Sequence, residues 1–214
     1  MRSAAVARVT AIKPQKKRRN RVSLFLDGEF ALGLHQDVLL KAGIAQGDEL
    51  EEAQVSRLAV LDQERQAKEK AFRLLAVRAR SKKELVDRLA RESYCSEIID
   101  NVIKDLGRIG LIDDAEFAAS FARHRMATKP VGEKRLRLEL RRKGVAEADI
   151  DRAVDVAFSE MSEAEYTRRL AIQRKRTCAS LEERAAQKRV ADYLLRRGFH
   201  WDVIRELLSD WEAL

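Results

Sequence analysis

Apolar residues recur at the spacing of one helix face through most of the chain, and the whole pattern is repeated. From Gly132 to Phe158 it predicts two helices separated by a break at Gly144. Glycine is common directly after a helix C-terminus, because the left-handed backbone required there costs it no Cβ clash. Two further copies have apolar residues at the same positions. The aligned sets are Leu85, Leu89 and Ile99, then Leu136, Leu140 and Ile150, then Val190, Leu194 and Ile204.

The residues around the break are also shared by the three copies. Each copy has an Arg two residues before the break and an apolar residue directly after it. In the order Arg, break and apolar residue, the sets are Arg91, Ser93 and Tyr94; Arg142, Gly144 and Val145; and Arg196, Gly198 and Phe199. Three copies in one register predict a tandem repeat of one supersecondary unit.

Helix-capping signals divide the chain after residue 62 into nine predicted helices, three to a repeat. Ser81, Ser162 and Ser180 each precede a Glu by three residues, the pattern of a capping box, and Asp113 starts the carboxylate version. The predicted spans are 63–80, 82–92, 96–106, 114–126, 132–143, 147–158, 163–176, 181–197 and 201–212. An apolar stripe before residue 62 leaves two alternatives open: a long first helix, or a helix broken near Asp62.

Residues 1–50 differ from the rest, because their apolar residues alternate with polar ones or form β-rich runs. Segments 8–12, 22–26 and 30–34 predict strands. Asp27-Gly28 between the last two predicts a hairpin with a type I′ turn, which needs positive φ at both central positions.

The length of the hairpin loop decides which side chains share a face. A two-residue loop places Phe25 opposite Phe30, on the face that also carries Leu32 and Leu34, and a loop one residue longer reverses the faces. After the hairpin, residues 37–42 predict a short helix that ends at Gly43.

The sequence therefore predicts a mainly α protein in which three tandem three-helix repeats form an elongated, curved array behind a small β-rich N-terminal module. In such an array each repeat contacts mainly its neighbours. The predicted domains are residues 1–50 for the module and 51–108, 109–158 and 159–214 for the repeats.

Composition agrees with a helical protein and indicates an anionic partner. Apolar residues make up 45%, charged residues 36% and aromatic residues 6%, and the formal net charge is +8. No apolar run approaches the ~20 residues of a membrane-spanning helix, so we expect a soluble, cytoplasmic protein with no membrane contact. Cys95 and Cys178 lie far apart and outside any C-x-x-C pattern, and we interpret them as reduced packing residues.

Catalytic and metal-binding patterns are weak. Asp113, Asp114 and Glu116 could form part of a nuclease metal site, but they open a predicted helix, where carboxylates cap free N–H groups. We favour capping. The three histidines match no zinc or triad pattern, and the sequence lacks a phosphate-cradling Gly-rich loop. We expect no enzymatic activity, no metal and no cofactor.

Basic residues are the stronger functional signal. One interpretation is a solvated helix face laced with Glu; the other is a stripe that contacts DNA or an acidic protein groove. Leu138 lies among these charges and is either covered by a neighbouring helix or exposed for a partner. The candidate binding residues are Lys16, Lys17, Arg18 and Arg19; Arg78, Arg80, Lys82 and Lys83; Lys134, Arg135, Arg137, Arg141, Arg142 and Lys143; and Arg168, Arg169, Arg174, Lys175 and Arg176.

Residues 70–155 resemble the RecX family, the bacterial regulators of the RecA recombinase. The resemblance is carried by AFRLLAVRARSKKELVDRLA at 71–90, LGRIGLIDDAEFAASFARHR at 106–125 and LRLELRRKGVAEADIDRAV at 136–154. The LDGEFA run at 26–31 is similar to the N-terminal extension of longer members. The resemblance implies tandem three-helix repeats and a non-catalytic role in homologous recombination, DNA repair and the SOS response.

The resemblance also implies the partner. It suggests an inhibitor that binds along the groove of the RecA–DNA filament and modulates its assembly, ATPase activity and strand exchange, with direct, sequence-independent binding of single- or double-stranded DNA. We expect a monomer. Within the basic face we expect charge reversal of Arg137 and Arg141 to weaken filament inhibition while leaving helicity intact. The alternative is a general DNA- or RNA-binding repeat protein without a recombinase partner.

Overall fold

The computed structural model describes residues 6–16 and 20–214, which form four strands and ten helices. The strands are β1 Val6–Pro14, β2 Arg21–Leu26, β3 Glu29–His35 and β4 Glu49–Glu51. The helices are α1 Gln36–Ala42, α2 Glu52–Val77, α3 Lys82–Ala90, α4 Ser96–Arg108, α5 Asp114–Thr128, α6 Glu133–Arg142, α7 Glu147–Ser159, α8 Glu163–Arg176, α9 Glu183–Arg196 and α10 Trp201–Ser209.

The mainly α class with an N-terminal β-rich module is confirmed. Helices α2–α4, α5–α7 and α8–α10 are repeat 1, repeat 2 and repeat 3. The chain forms two compact units: Met1–Arg78 with Leu85–Leu111, and Ala79–Glu84 with Ile112–Leu214. The predicted domain boundaries and the elongated, curved arrangement stay predictions.

The N-terminal strands form an antiparallel sheet in the order β3-β2-β1-β4. One face packs on α1 and the start of α2, with a core that includes Val9, Leu24, Leu34, Leu50 and Leu58. The sheet is therefore half-covered, as expected for a module too small to bury a core by itself.

The β2–β3 hairpin has the predicted two-residue turn, with φ of 49° at Asp27 and 89° at Gly28. Phe25 pairs with Phe30 as expected, and their rings meet edge to face with centroids 6.0 Å apart. The prediction that Leu32 shares this face is wrong. Leu24 pairs with Leu32, so Ala31 is an extra residue in β3, and such a bulge moves every later side chain to the opposite face.

The consequence of the bulge is visible in burial. Leu34 is fully buried in the module core, whereas Phe30 is 61% exposed. The bulge therefore resolves a conflict in the sequence pattern, since an unbulged strand would put both residues on one face. The predicted helix at 37–42 is confirmed, and α1 ends at Gly43, whose φ is 67°.

The first long helix is continuous, which settles the alternatives left open by the sequence. α2 runs for 26 residues through Asp62, which is buried. The Asp62 carboxylate accepts two hydrogen bonds from the Arg21 guanidinium, at 3.2 and 2.7 Å, and one from the His35 backbone N–H at 2.6 Å. Gln66 Nε2 donates a further bond at 2.7 Å. A buried carboxylate with this many donors ties β2 and β3 to α2.

The repeat pattern is confirmed in the structure. All nine aligned apolar residues, from Leu85 to Ile204, are buried. All three break residues have left-handed backbones, with φ of 63° at Ser93, 77° at Gly144 and 81° at Gly198. After the two glycines, Val145 N–H donates to Leu140 O and Phe199 N–H donates to Leu194 O, each at 3.3 Å. These bonds complete the Schellman motif, which satisfies carbonyls left open at a helix end.

Most predicted caps are present. The Ser162 hydroxyl accepts from Glu165 N–H at 3.3 Å, and that of Ser81 from Glu84 N–H at 3.2 Å. The prediction at Ser180 is wrong, because α9 begins at Glu183 with Glu182 as its N-cap. α9 has 14 residues against 10 in α6, so the longer third repeat gains a helical turn.

Two equivalent joints connect consecutive repeats within the second unit. Ser81 Oγ donates to the carbonyl of Lys143, the residue before the break in repeat 2, at 2.6 Å. Gly132 N–H donates to the carbonyl of Arg197, the residue before the break in repeat 3, at 3.0 Å. A Cβ at Gly132 would lie 2.2 Å from the Gly198 carbonyl oxygen, so this joint requires glycine. The residue before α3 thus caps the end of α6, and the residue before α6 caps the end of α9.

The two cysteines differ in environment. Both are free; Cys178 is buried in the core of repeat 3, as expected of a packing residue, whereas Cys95 is exposed directly before α4. The packing interpretation is therefore wrong for Cys95.

We predict that Gly144→Ala destabilises the protein by at least about 1–2 kcal/mol, the cost of a left-handed backbone at a non-glycine residue. A Cβ there would also lie 2.6 Å from Lys83 Cβ. The reverse change is Ser93→Gly, which removes the backbone strain of a serine held in the left-handed conformation. It should stabilise by ~0.5–1 kcal/mol, after subtraction of the entropy cost of glycine. Urea unfolding followed by circular dichroism measures both, and equal effects of the two substitutions would contradict this account.

We predict that Asp62→Asn destabilises the N-terminal module by roughly 3 kcal/mol, because it leaves the Arg21 charge buried without its partner. Asp105→Asn is the control, since the Lys68–Asp105 ion pair at 2.8 Å is more exposed. It should have little effect on stability, because exposed ion pairs contribute little. Chemical unfolding of both variants tests the difference, and a small effect at Asp62 would show that the buried pair does not hold sheet to helix.

Candidate partner-binding surface

The second helix of each repeat exposes a similar row of side chains opposite its buried apolar residues. In α6 the row is Lys134, Leu138 and Arg142, spaced four residues apart and therefore on one face. Adding 54 gives Lys188, Asp192 and Arg196 in α9, and subtracting 51 gives Lys83, Asp87 and Arg91 in α3. All nine are exposed. We call these residues the second-helix stripe.

The stripe residues of α6 make few side-chain contacts within the described protein. Leu138 is 44% exposed, so it is not covered by a neighbouring helix of the described chain. Among residues 6–16 and 20–214, the side chains of Lys134 and Arg142 form neither an ion pair nor a hydrogen bond, and the same holds for Lys188 and Arg196 in α9. The basic groups at the ends of the α6 and α9 rows thus remain available to an anionic partner.

Other candidate residues of α6 are engaged within the fold. Arg137 donates to Glu133 at 2.7 Å and to Asp151 at 2.5 Å, and hydrogen bonding to Asp151 and Glu133 raises the pKa of its guanidinium further above the usual value. Arg141 binds Glu147 through two bonds, of 2.9 and 2.5 Å, which lower the pKa of that carboxyl. Replacing either Arg would remove intramolecular contacts, so their charge reversal does not isolate partner binding.

Arg135 and Lys143 also have structural partners. Arg135 donates to Glu139 at 3.0 Å and to the carbonyl of Arg196 at 2.6 Å. Lys143 Nζ donates to Glu84 at 2.7 Å and lies over the ring of Phe121 at 5.0 Å from its centroid. These contacts hold the joints between repeats.

The candidate residues of repeat 3 divide in the same way. Lys175 Nζ donates to the carbonyl of Trp211 at 2.7 Å, and Arg168 donates to that of Ala213 at 3.3 Å. Arg174 lies over the ring of Tyr193. Arg169 and Arg176 are exposed, with no side-chain bond to the described residues.

The remaining candidates lie near the N-terminus or at the start of α3. Arg78, Lys82, Lys83 and Lys16 are exposed, and Arg80 is half-buried. Lys17, Arg18 and Arg19 lie outside the described residues. The first 50 residues hold nine basic and five acidic side chains, half of the net charge of +8.

The acidic cluster has structural roles. Asp113 caps α5 by accepting from Ala115 and Glu116 N–H at 2.9 and 3.0 Å, which confirms the capping interpretation. Asp114 accepts from Lys82 N–H at 2.8 Å. In the part of the chain that the structure describes, no three His, Cys, Asp or Glu side chains are grouped so as to hold a metal ion.

Sequence reasoning missed two useful residues. Lys188 and Arg196 occupy the stripe positions of Lys134 and Arg142, but they lie outside the dense basic runs that mark the other candidates. The repeat offset could have found both. The two tryptophans differ in burial: Trp211 lies in the core of repeat 3, whereas Trp201 is 49% exposed at the start of α10.

None of the described helices combines the length and the apolar character needed to cross a bilayer.

Comparison with family models gives four matches along the chain. Residues 7–51 match the regulatory protein RecX N-terminal domain, and residues 67–106, 113–154 and 162–208 match the first, second and third three-helix domains of RecX.

Relatives and solved structures agree with these matches. A regulatory protein RecX of Limosilactobacillus reuteri (strain DSM 20016) is 31% identical, covering 96% of this chain and 76% of the relative; one of Bacillus licheniformis is 30% identical, covering 94% and 76%. The crystal structure of a regulatory protein RecX matches with a TM-score of 0.72 at 29% identity, covering 95% of this chain and all of that one. The RecX structure from Lactobacillus salivarius, at 24% identity and a TM-score of 0.60 over 72% of this chain and 99% of its own, supports the fold. The chain therefore belongs to the RecX family of regulatory proteins.

Proposed function

We propose that this protein inhibits RecA by binding along the groove of the RecA–DNA filament, where it restrains filament growth, ATPase activity and strand exchange. Family membership implies regulation of RecA. The observation that carries the binding mode is the second-helix stripe, in which repeats 2 and 3 present Lys and Arg at equivalent exposed positions without intramolecular partners.

Repetition of the stripe suits a polymeric partner. A filament offers the same surface at regular intervals, and successive repeats can contact it at once. The second and later contacts are then intramolecular, so weak individual contacts add up to high avidity. Exposed ion pairs are individually weak, and several are needed for stable binding.

The chemistry of the α6 stripe favours a protein groove that carries acidic groups. Leu138 lies between two basic residues, and a half-exposed leucine gains by burial against apolar protein surface, not against phosphate. Lys134 and Arg142 on either side of it would pair with carboxylates. DNA within the filament contributes through sequence-independent contacts of the other basic residues, including those of residues 16–19.

Inhibition by binding requires no catalytic reaction. We infer a non-enzymatic regulator that acts as a cytoplasmic monomer and needs neither metal nor cofactor. The second candidate is a general DNA- or RNA-binding repeat protein without a recombinase partner, which is supported by the concentration of positive charge in the first 50 residues.

We predict that the double variant Lys134→Glu/Arg142→Glu inhibits RecA strand exchange roughly tenfold less effectively, because two exposed ion pairs, each worth up to about 1 kcal/mol, are lost. The matched control is Arg123→Glu/Lys129→Glu, which makes the same charge change at exposed residues of the first helix of repeat 2 and its end. Titration of each variant into a strand-exchange and ATPase assay gives the comparison. Circular dichroism checks folding, and equal inhibition by the two folded variants would refute the proposed face.

The salt dependence of binding separates the two candidate functions. A protein that binds nucleic acid through about six phosphates should lose roughly a thousandfold in affinity between 50 and 200 mM salt. Binding to a protein groove should weaken less and should require the assembled filament. Binding to bare DNA as tight and as salt-sensitive as binding to the filament would favour the general nucleic-acid-binding protein.

A further inference from the structure

Repeats 2 and 3 place an arginine at the same position of their first helix. Arg125 in α5 and Arg174 in α8 each lie twelve residues after the N-cap of their helix, Asp113 and Ser162 respectively. The two residues are therefore structurally equivalent, and their surroundings can be compared directly.

In repeat 2 this arginine is fully paired. Arg125 binds Glu139 of α6 through two bonds, of 2.8 and 3.1 Å, and donates to the carbonyl of Lys129. Hydrogen bonding to Arg125, assisted by Arg135, lowers the pKa of the Glu139 carboxyl. A planar, bidentate pair of this kind compensates the guanidinium charge inside the protein.

In repeat 3 the carboxylate is replaced by a tyrosine. Adding 54 to Leu140 and Gly144 gives Leu194 and Gly198, and the same offset takes Glu139 to Tyr193. The Arg174 guanidinium carbon lies 5.3 Å from the centre of the Tyr193 ring. Arg174 keeps its position, but no described carboxylate forms an ion pair with it.

A second arginine approaches the same ring. The guanidinium carbon of Arg197 lies 4.7 Å from the ring centre of Tyr193, and its Nη1 donates to the carbonyl of Pro130 at 2.8 Å. Arg197 also forms no ion pair within the described residues. Both guanidinium groups thus lie close to one aromatic ring, which attracts cations, and neither forms an ion pair with a described carboxylate.

One donor at this position has no partner. Arg174 Nε is buried and makes no hydrogen bond to any described atom. Burial of an N–H group of a charged side chain without an acceptor is unfavourable, and an anion that supplies an acceptor would remove this cost. Guanidinium groups stacked on aromatic rings are weakly hydrated, so an anion displaces little bound water.

We propose that Arg174, Tyr193 and Arg197 form a phosphate-binding site that contacts the backbone of single-stranded DNA. The inference rests on the proposed function in one respect, since the filament supplies the DNA. Two arginines and a tyrosine hydroxyl provide donors in several directions, which suit a tetrahedral phosphate better than a planar carboxylate with two oxygens. A contact with the backbone carries no sequence preference.

The test is to give repeat 3 the carboxylate that repeat 2 already has. Tyr193→Glu places an acidic group beside Arg174, as Glu139 lies beside Arg125, and the site is neutralised. Binding of a fluorescently labelled oligothymidylate to the full chain, measured by anisotropy without RecA, should weaken about fivefold at 0.1 M salt. The slope of log affinity against log salt concentration should fall by about 0.7, the value for one phosphate of a single strand.

Two further variants separate the effect of charge from the effect of side-chain size. Tyr193→Gln has nearly the size of the Glu variant but no charge, and it should weaken binding less than Tyr193→Glu does, because it removes the ring and hydroxyl without neutralising the two arginines. Arg174→Gln removes the guanidinium and should reproduce the loss seen with Tyr193→Glu. Thermal unfolding should show that both Tyr193 variants remain folded at the assay temperature, with lowered midpoints because the Tyr193 ring packs against the core of repeat 3.

The outcomes separate this inference from the proposed function. Unchanged DNA affinity and salt slope in both Tyr193→Glu and Arg174→Gln would overturn the site, whatever the effect on RecA. Equal losses in Tyr193→Glu and Tyr193→Gln would also overturn it, because the charge would then be irrelevant. Since the assay contains no RecA, loss of affinity in the expected variants would support the site even if inhibition of strand exchange were absent.

Discussion

The architecture depends on how each second helix ends. The last carbonyls of a helix have no partner within it, and the turn that satisfies them requires a left-handed residue. Here that residue is Ser93, Gly144 or Gly198. At the last two breaks the carbonyl just before it also accepts a hydrogen bond from the start of the preceding second helix. Helix termination and repeat stacking are therefore one arrangement, and the stacking needs backbone groups more than particular side chains.

The position of a basic side chain relative to a joint decides whether it has a partner within the protein. Basic side chains close to a joint, such as Arg135 and Lys143, are engaged by carbonyls and carboxylates of the neighbouring repeat. Those on the outer row of the second helix, such as Lys134 and Arg142, are not. A high density of basic residues in the sequence is thus a poor guide to a binding surface. In a helical protein with 36% charged residues, many basic side chains form ion pairs within the protein.

Differences between equivalent positions carry more information than the shared pattern. Glu139 and Tyr193 occupy the same place in two copies, yet one neutralises an arginine and the other leaves it without a carboxylate. The joints depend on backbone carbonyls, so the side chains beside them can differ between copies. A departure from the common pattern that leaves a charge without compensation points to a partner outside the chain.

The sequence by itself determined the repeat, the nine buried apolar positions, the three breaks, most caps and the hairpin turn. These features arise from local backbone preferences and helical periodicity, which are properties of short segments. Only the tertiary structure decided the rest. Asp62 lies inside a continuous helix because Arg21 and His35, distant in sequence, supply its donors. The bulge at Ala31, the partners of the basic residues and the late start of α9 likewise depend on groups that meet only after folding, which no local pattern specifies.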